Sequence, residues 1–295
     1  MPLQEIWQRI DARYGAFSPQ LRRAARFVRE HPQDVALQSL RTVSRQAGVS
    51  PTSMTRLTQA LDVETWDAFQ ATHRAWLTAG RPGVFSGRAD RLISGTRKPG
   101  AEDHLLDAVA EAERANIAHA LDAASRSLLR QAADLLANAP AVSVAGIRSC
   151  FPVAFSLHYS LSLFMPNVRL MTGTGGSLLD ELHHLRAGDA LVVVSVAPYS
   201  RETVEVARHA RSAGVRVVGI TDGPLTPVAR LSDITLVAGN DSPAHIASPI
   251  GPIAVAQALA LLVLARAGEG ALETLRRREA TLEATSAYLP EESTT

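Results

Sequence analysis

Two short stretches bring together side chains able to do chemistry on an anion. Gly146-Ile-Arg-Ser-Cys-Phe and Ser195-Val-Ala-Pro-Tyr-Ser-Arg-Glu-Thr each lead from an apolar run into a helical pattern. Hydroxyls and free backbone N–H groups at a helix start, with a guanidinium nearby, suit a phosphate group. The candidate ligand-binding residues are Arg148, Ser149, Cys150, Ser195, Tyr199, Ser200, Arg201 and Thr203. His245, in Asn240-Asp-Ser-Pro-Ala-His-Ile-Ala-Ser, joins them from a loop before the last apolar helix. Thr172-Gly-Thr-Gly-Gly-Ser is a third loop of the same kind, in which Gly173, Gly175 and Gly176 serve a phosphate cradle or a plain turn. Taken singly, each loop is equally well explained as a helix cap.

Other chemistries find less support. General acid–base work on a sugar needs a carboxylate or imidazole of tuned pKa, for which Glu202, Glu205, His183, His184 and His245 are the candidates. An acid in a first helical turn, as at Glu202, is ordinary helix chemistry. His183-His184 lacks a third ligand at metal spacing, so no metal site is expected. Neither a dinucleotide fingerprint nor a Walker lysine is present, and no cofactor is expected.

A different chemistry is written into residues 42–61. Leu40, Val43, Ala47 and Val49 form one apolar face across Gly48, a natural site for positive φ. A second helix starts at Ser50 with Pro51 in its first turn. It buries Met54, Leu57 and Leu61 and presents Ser50, Thr52, Ser53, Thr55 and Arg56. This pattern reads as a helix-turn-helix, whose second helix enters the major groove and whose arginine bonds guanine bidentately. A small helical bundle with no DNA role carries similar turns. Residues 1–80 also hold ten Arg against seven Asp and Glu, a modest local excess of positive charge.

The elements that must position these residues follow from periodicity. Ser18-Pro19 opens a helix through Leu21–Arg29, with Arg22, Arg23, Arg26 and Arg29 off its apolar face, and His31-Pro32 ends it. A short helix is expected over 35–40. Trp7, Trp66 and Trp76 sit at helical spacing as core or dimer-contact residues. Loose stretches around 78–88 and 94–101 mark a linker. Helices are then expected over about 104–122 and 125–137, followed by strands at 142–145, 168–171, 190–195, 215–220 and 234–237 with helices between and after them, including 201–213 and 253–266. Nearly continuous apolar strands alternating with helices imply a parallel sheet in a three-layer α/β domain. Ligands of such sheets bind beyond the strands' carboxyl ends. The division expected is an all-α helix-turn-helix domain at 1–80, a linker at 81–103, an α/β domain with a five-stranded parallel sheet at 104–268, and a C-terminal helix and tail at 269–295, whose last residues from Pro290 are expected to be disordered.

Composition sets outer limits. At 295 residues, 46% apolar and 20% charged, with net charge +1, the chain reads as an ordinary globular protein. The single cysteine, Cys150, excludes an intrachain disulfide. The first residues lack a signal-peptide pattern, and the apolar stretch 246–265 is interrupted by Ser248, Pro249, Gly251, Pro252 and Gln257, so a buried helix, no membrane partner and a cytoplasmic location are expected.

On these residues the chain resembles the MurR/RpiR family of bacterial transcriptional regulators over about 3–265. Val43-Ser-Arg-Gln-Ala-Gly-Val-Ser-Pro-Thr-Ser-Met-Thr-Arg-Leu is similar to that family's helix-turn-helix. Gly146-Ile-Arg-Ser-Cys-Phe-Pro-Val-Ala, Pro198-Tyr-Ser-Arg-Glu-Thr-Val-Glu and Gly219-Ile-Thr-Asp-Gly-Pro-Leu-Thr-Pro-Val-Ala-Arg-Leu-Ser-Asp resemble its sugar isomerase (SIS) domain. The resemblance implies a homodimeric or homotetrameric regulator, by family habit a repressor and not an enzyme, that binds double-stranded operator DNA and responds to a phosphosugar. The alternative is a phosphosugar isomerase or lyase using the SIS domain catalytically. It also implies that Ser200 and Thr203 hold the phosphate. The chain departs from the family pattern where Pro198 and Arg201 replace a Ser and a Gly, and where Arg148 and Cys150 replace a Gly and a Ser. Asp62-Val63 stands where a Gly and an aromatic are frequent.

Overall fold

The computed structural model describes residues 3–78, 85–95 and 100–289. Parts of the loose stretches expected around 78–88 and 94–101, residues 79–84 and 96–99, and the tail from Pro290 lie outside the described residues. The chain divides into two compact units, the first of Met1–Gly95 with Gly223–Leu225 and the second of Thr96–Asp222 and Thr226–Thr295.

The first unit is all-α. Its helices are α1 (Leu3–Arg13), α2 (Pro19–Glu30), α3 (Pro32–Leu37), α4 (Leu40–Gln46), α5 (Pro51–Ala60), α6 (Trp66–Thr78) and α7 (Ser86–Gly95). Three of them start as their sequences direct: Ser18, Ser39 and Ser50 each accept from the backbone N–H three residues on. Proline occupies the first turn of α2, α3 and α5, where a missing N–H costs nothing. α3 lies a few residues earlier than the expected 35–40 because Pro32 starts it instead of merely ending α2. α7 falls inside the stretch read as linker, where glycines at both ends obscured a short helical period.

The core of this unit is a single cluster in which Ile6, Ile10, Ala24, Val28, Val43, Met54, Leu57, Leu61 and Phe69 are fully buried. Trp66 joins it, while Trp7 and Trp76 pack edge to face against each other at 6.1 Å beside it, so the tryptophans are packing residues. Gly48 has φ +64, which turns α4 into α5, and the Arg23 guanidinium donates to its carbonyl at 3.2 Å. Asp62 also has positive φ, +58, taking the left-handed position that ends α5. It is held there by ion pairs with Arg9 at 3.0 Å and Arg13 at 2.7 Å, and those guanidiniums also bond the Leu61 and Ala60 carbonyls. Val63 then folds back into the core.

The second unit contains α8 (Ala101–Ala120), α9 (Ala123–Ala137), β1 (Val142–Ala145), α10 (Phe151–Ser162), β2 (Val168–Met171), β3 (Ala190–Val194), α11 (Arg201–Ser212), β4 (Arg216–Thr221), β5 (Ile234–Val237) and α12 (Ile250–Ala284). The five strands form one parallel sheet in the order β2-β1-β3-β4-β5. Side chains alternate between two layers. Val142, Val144, Val192, Val194, Val218 and Ile220 face α9, α10 and α12, whereas Ala145, Leu191, Val193 and Val217 face α11. β1, β3 and β4 are buried almost throughout, as their apolar runs require, while the edge strands β2 and β5 are only partly so.

The helices expected at 253–266 and from Glu269 are one run, α12, interrupted at Gly268 by a non-helical φ of 62°. α12 is long and apolar enough, by length and composition alone, to cross a membrane, with mean hydropathy 1.9 in its most apolar window. In this unit it is a packing helix: Gly251, Pro252, Val255, Ala256, Leu259 and Val263 are buried in the sheet's core. Gly251 lies so close to Gly239 that a Cβ would overlap its carbonyl oxygen.

Candidate functional site

In the strand order β2-β1-β3-β4-β5 the chain leaves β1 toward one edge and resumes at β3 on its other side. The switch point therefore lies between β1 and β3, and the crevice beyond their carboxyl ends is where such sheets take ligands. The two chemically loaded loops flank it. After β1, Gly146 allows close packing, since a Cβ there would meet Ala154, Cys150 and Val194 at 3.0–3.2 Å. Arg148 then adopts φ +57, a left-handed conformation unusual for a residue with a side chain, and leads through a tight turn into α10. Arg148 and Ser149 are exposed and Cys150 is buried. Burial pushes the Cys150 thiol pKa up, and its surroundings are the Val196 backbone, the Ser149 side chain and the Asp222 carboxylate. A thiol so placed is a small packing group and not a poised nucleophile.

After β3, Ser195 continues the ladder, its N–H donating to the Ile220 carbonyl at 3.1 Å, and is 1% exposed. The loop then reaches α11 through Tyr199 and Ser200. Asp222, at the end of β4, organises it by accepting from Ala197 N–H at 3.1 Å and from the Tyr199 hydroxyl at 3.0 Å. Asp222 was part of a recognised motif in the sequence, but its role appears only when β4 lies beside β3.

The start of α11 is built unlike the other capped helices. Ser200 is the N-cap residue, yet its hydroxyl makes no capping bond. Thr203, in the first turn, is 1% exposed, and its hydroxyl is buried without a hydrogen-bond partner. An unpaired buried hydroxyl costs roughly 1–3 kcal/mol, so its place at a helix N-terminus calls for an explanation. Ser200, Thr203 and the first backbone N–H groups of α11 gather at this helix start, the kind of group set that can hold an anion. Arg201 is exposed at the same turn.

The third loop is different. Its donors are already taken: Glu181 accepts from Thr172 and Gly173 N–H, Asp180 from Ser177 N–H, and Glu202 from Ser177 and Leu178. Carboxylates thus occupy the cradle expected at Gly173–Gly176, which is a closed turn. His245 is exposed in the loop between β5 and α12, and no hydrogen bond joins it to the β1 or β3 loops. Among the described residues no cluster of His, Cys, Asp or Glu is arranged to hold a metal ion.

Within α1–α6 of the first unit, the ten arginines separate by partner. Arg9, Arg13, Arg22, Arg23, Arg26, Arg29 and Arg74 all bond within the unit, to Asp62, Asp11, Tyr14, or backbone carbonyls. Arg41, Arg45 and Arg56 are exposed and have no such partner among the described residues, and all three lie on α4 and α5. The hydroxyls separate too. Ser50 caps α5 and touches Ser53, and Thr55 bonds back to the Pro51 carbonyl, while Thr52 stays open to solvent.

A doubly wound parallel sheet with an unpaired buried hydroxyl at the helix start beside its switch point, and an all-α unit on the same chain, define the class of the protein. Comparisons with known proteins carry this further. A model of the SIS domain family matches residues 135–266. The sugar isomerase domain of an RpiR transcription factor from Sphaerobacter thermophilus is 30% identical, with a TM-score of 0.55, over 60% of this chain and 99% of that one. The HTH-type transcriptional regulator HexR of Pseudomonas aeruginosa is 25% identical, over 99% of this chain and all of HexR (100%). The NanR protein of Vibrio vulnificus, solved in complex with ManNAc-6P, shares the fold at 18% identity and a TM-score of 0.51, over 96% of this chain and 100% of NanR. The chain spans only 34% of the length of the bifunctional protein glk of Burkholderia mallei, to which it is 26% identical over 239 residues. The chain belongs to the RpiR/MurR-like regulator family of SIS-domain proteins.

The family comparison also corrects one expectation. The flat exclusion of enzymatic activity goes further than the matches do. Likeness to RpiR and HexR argues against a purely enzymatic role, and that narrower statement replaces it.

Proposed function

We propose that this protein is a DNA-binding transcriptional regulator, working as a repressor, whose operator affinity is set by a phosphosugar bound between the β1 and β3 loops. The observation that carries the reading is the partition of arginines in the first unit. Of the ten arginines on α1–α6, seven bond within the unit, and the other three sit on the helix pair expected to face DNA. In this reading α4–α5 is a helix-turn-helix: α5 enters the major groove with Thr52 and Arg56 at base edges, Ser50 shapes its start, and Ser53 and Thr55 lie toward the backbone. The unpaired Thr203 hydroxyl and the open Ser200 hydroxyl receive the phosphate. Arg148 and Arg201 add charge at the rim. ManNAc-6P in NanR is one member of the ligand class proposed.

The regulator works as a homodimer or homotetramer in the cytoplasm. An exposed aromatic row on α10 supports self-association: Phe151, Phe155 and Tyr159 stack at 6.0 and 6.4 Å spacing while 38–48% exposed. A gel-shift series on promoter fragments around the gene tests the output. A fragment bound specifically, and bound more weakly by Arg56→Ala, supports the reading. Failure of every fragment to bind overturns it.

A further inference from the structure

The turn between α4 and α5 borders a crevice that base reading by α5 does not use. It measures about 440 Å³ and is lined by Gln20, Arg45, Gly48, Val49, Ser50 and Ser53. Three helices contribute: α2 through Gln20, α4 through Arg45, and α5 through Ser50 and Ser53. The lining holds one guanidinium and no carboxylate, and Arg45 has no partner among the described residues. The turn itself is fixed, because Gly48 holds its left-handed φ while Arg23 bonds its carbonyl. A rigid, cationic, donor-rich recess with nothing to neutralise it fits a compact oxyanion.

We propose that this crevice seats one backbone phosphate of duplex DNA, with Arg45 supplying the charge and Gln20 and Ser53 supplying neutral donors. The proposal rests on the DNA-binding reading of α4–α5 and divides its labour. Arg45, Gln20 and Ser53 set register and orientation through the backbone, which carries no sequence information, and Arg56 and Thr52 read bases. Gln20 is the unexpected member, since it stands far outside residues 42–61 and reaches the turn only through the packing of α2.

The test titrates the full chain, by fluorescence anisotropy, against two labelled duplexes across about 50–200 mM KCl. One duplex is enriched by this protein from a random library, and the other is its scrambled counterpart. Arg45→Ala is expected to weaken both duplexes by the same factor, on the order of tenfold, and to reduce the salt slope by about one. Gln20→Ala gives a smaller loss, again equal on both duplexes. Arg45→Lys keeps the salt slope, and Arg56→Ala weakens the enriched duplex selectively. Thermal melting of each variant controls for folding. If Arg45→Ala and Gln20→Ala bind both duplexes like the parent, with an unchanged slope, while Arg56→Ala keeps its selective loss, the phosphate seat is wrong and the DNA reading stands. A loss by Arg45→Ala confined to the enriched duplex makes Arg45 a base reader and also overturns the proposal. If the parent enriches no duplex, the DNA reading falls and takes the seat with it.

Discussion

The α4–α5 pair and the start of α11 use the same residue types for opposite ends. At α5, Ser50 completes its helix by capping Ser53 N–H, so the serine is structural and the neighbouring exposed residues are left for a partner. At α11, Ser200 sits in the same N-cap position but does not cap, and Thr203 behind it is buried and unpaired. One helix start has its capping bond made, and the other leaves a buried hydroxyl unpaired. Capping residues therefore identify a helix start from sequence, but only the hydrogen-bond inventory tells whether that start is finished.

A buried unpaired group carries a measurable penalty, and a titratable case lies at His73 in the first unit. Its Nδ1 bonds the Phe69 carbonyl at 2.8 Å, and its Nε2 is buried without a partner. Burial lowers its pKa from 6.5 to about 4. The unfolded chain therefore binds the proton more readily between those values. Stability is complete above about pH 6.5 and falls as pH drops toward 4, by about 3 kcal/mol in all. Urea unfolding followed by tryptophan fluorescence should show this slope, because all three tryptophans lie in the first unit. His73→Leu should flatten it, and an unchanged slope in that variant places the responsible group elsewhere.

Thr203→Val sharpens the comparison from the other side. The isosteric change removes an unpaired hydroxyl, so the ligand-free protein should unfold at an equal or slightly higher denaturant midpoint. Calorimetry with the effector should show a loss of about 1.5–3 kcal/mol in affinity, the range for a hydrogen bond to a charged group. A destabilised free protein with intact affinity assigns Thr203 to packing. Arg148→Gly should act in the same direction on a smaller scale. Relief of its left-handed φ stabilises the fold by about 1 kcal/mol, while loss of the guanidinium weakens anion binding. The smallest effect is expected at Asp62→Asn, where exposed ion pairs to Arg9 and Arg13 are weakened and only a slight drop in melting temperature should follow.

Much of the fold was legible because it depends on local chemistry. The strands emerged from apolar runs, and Ser18, Ser50, Pro19 and Pro51 announced their helices. What stayed hidden depends on residues far apart in the chain. Nothing near Asp62 reveals that Arg9 and Arg13 would hold it at positive φ in place of a glycine. The glycine-rich loop after β2 looked like a phosphate cradle because the carboxylates of Glu181 and Glu202 that fill it come from other turns. Asp222 gained its role in the β3 loop only through strand order. The arginine excess was visible as a count, but its division into internal and outward-facing groups required knowing which carbonyls each one meets.

The central claim is that occupancy of the α11 seat changes what α4–α5 does to DNA. The direct measurement adds a panel of sugar phosphates to the complex of the full chain with its enriched duplex and follows anisotropy, for the parent and for Thr203→Val. One panel member should change the duplex affinity of the parent, and Thr203→Val should need about tenfold or more of it for the same change. An equal response from both proteins, or no response of the parent to any sugar phosphate, contradicts the account.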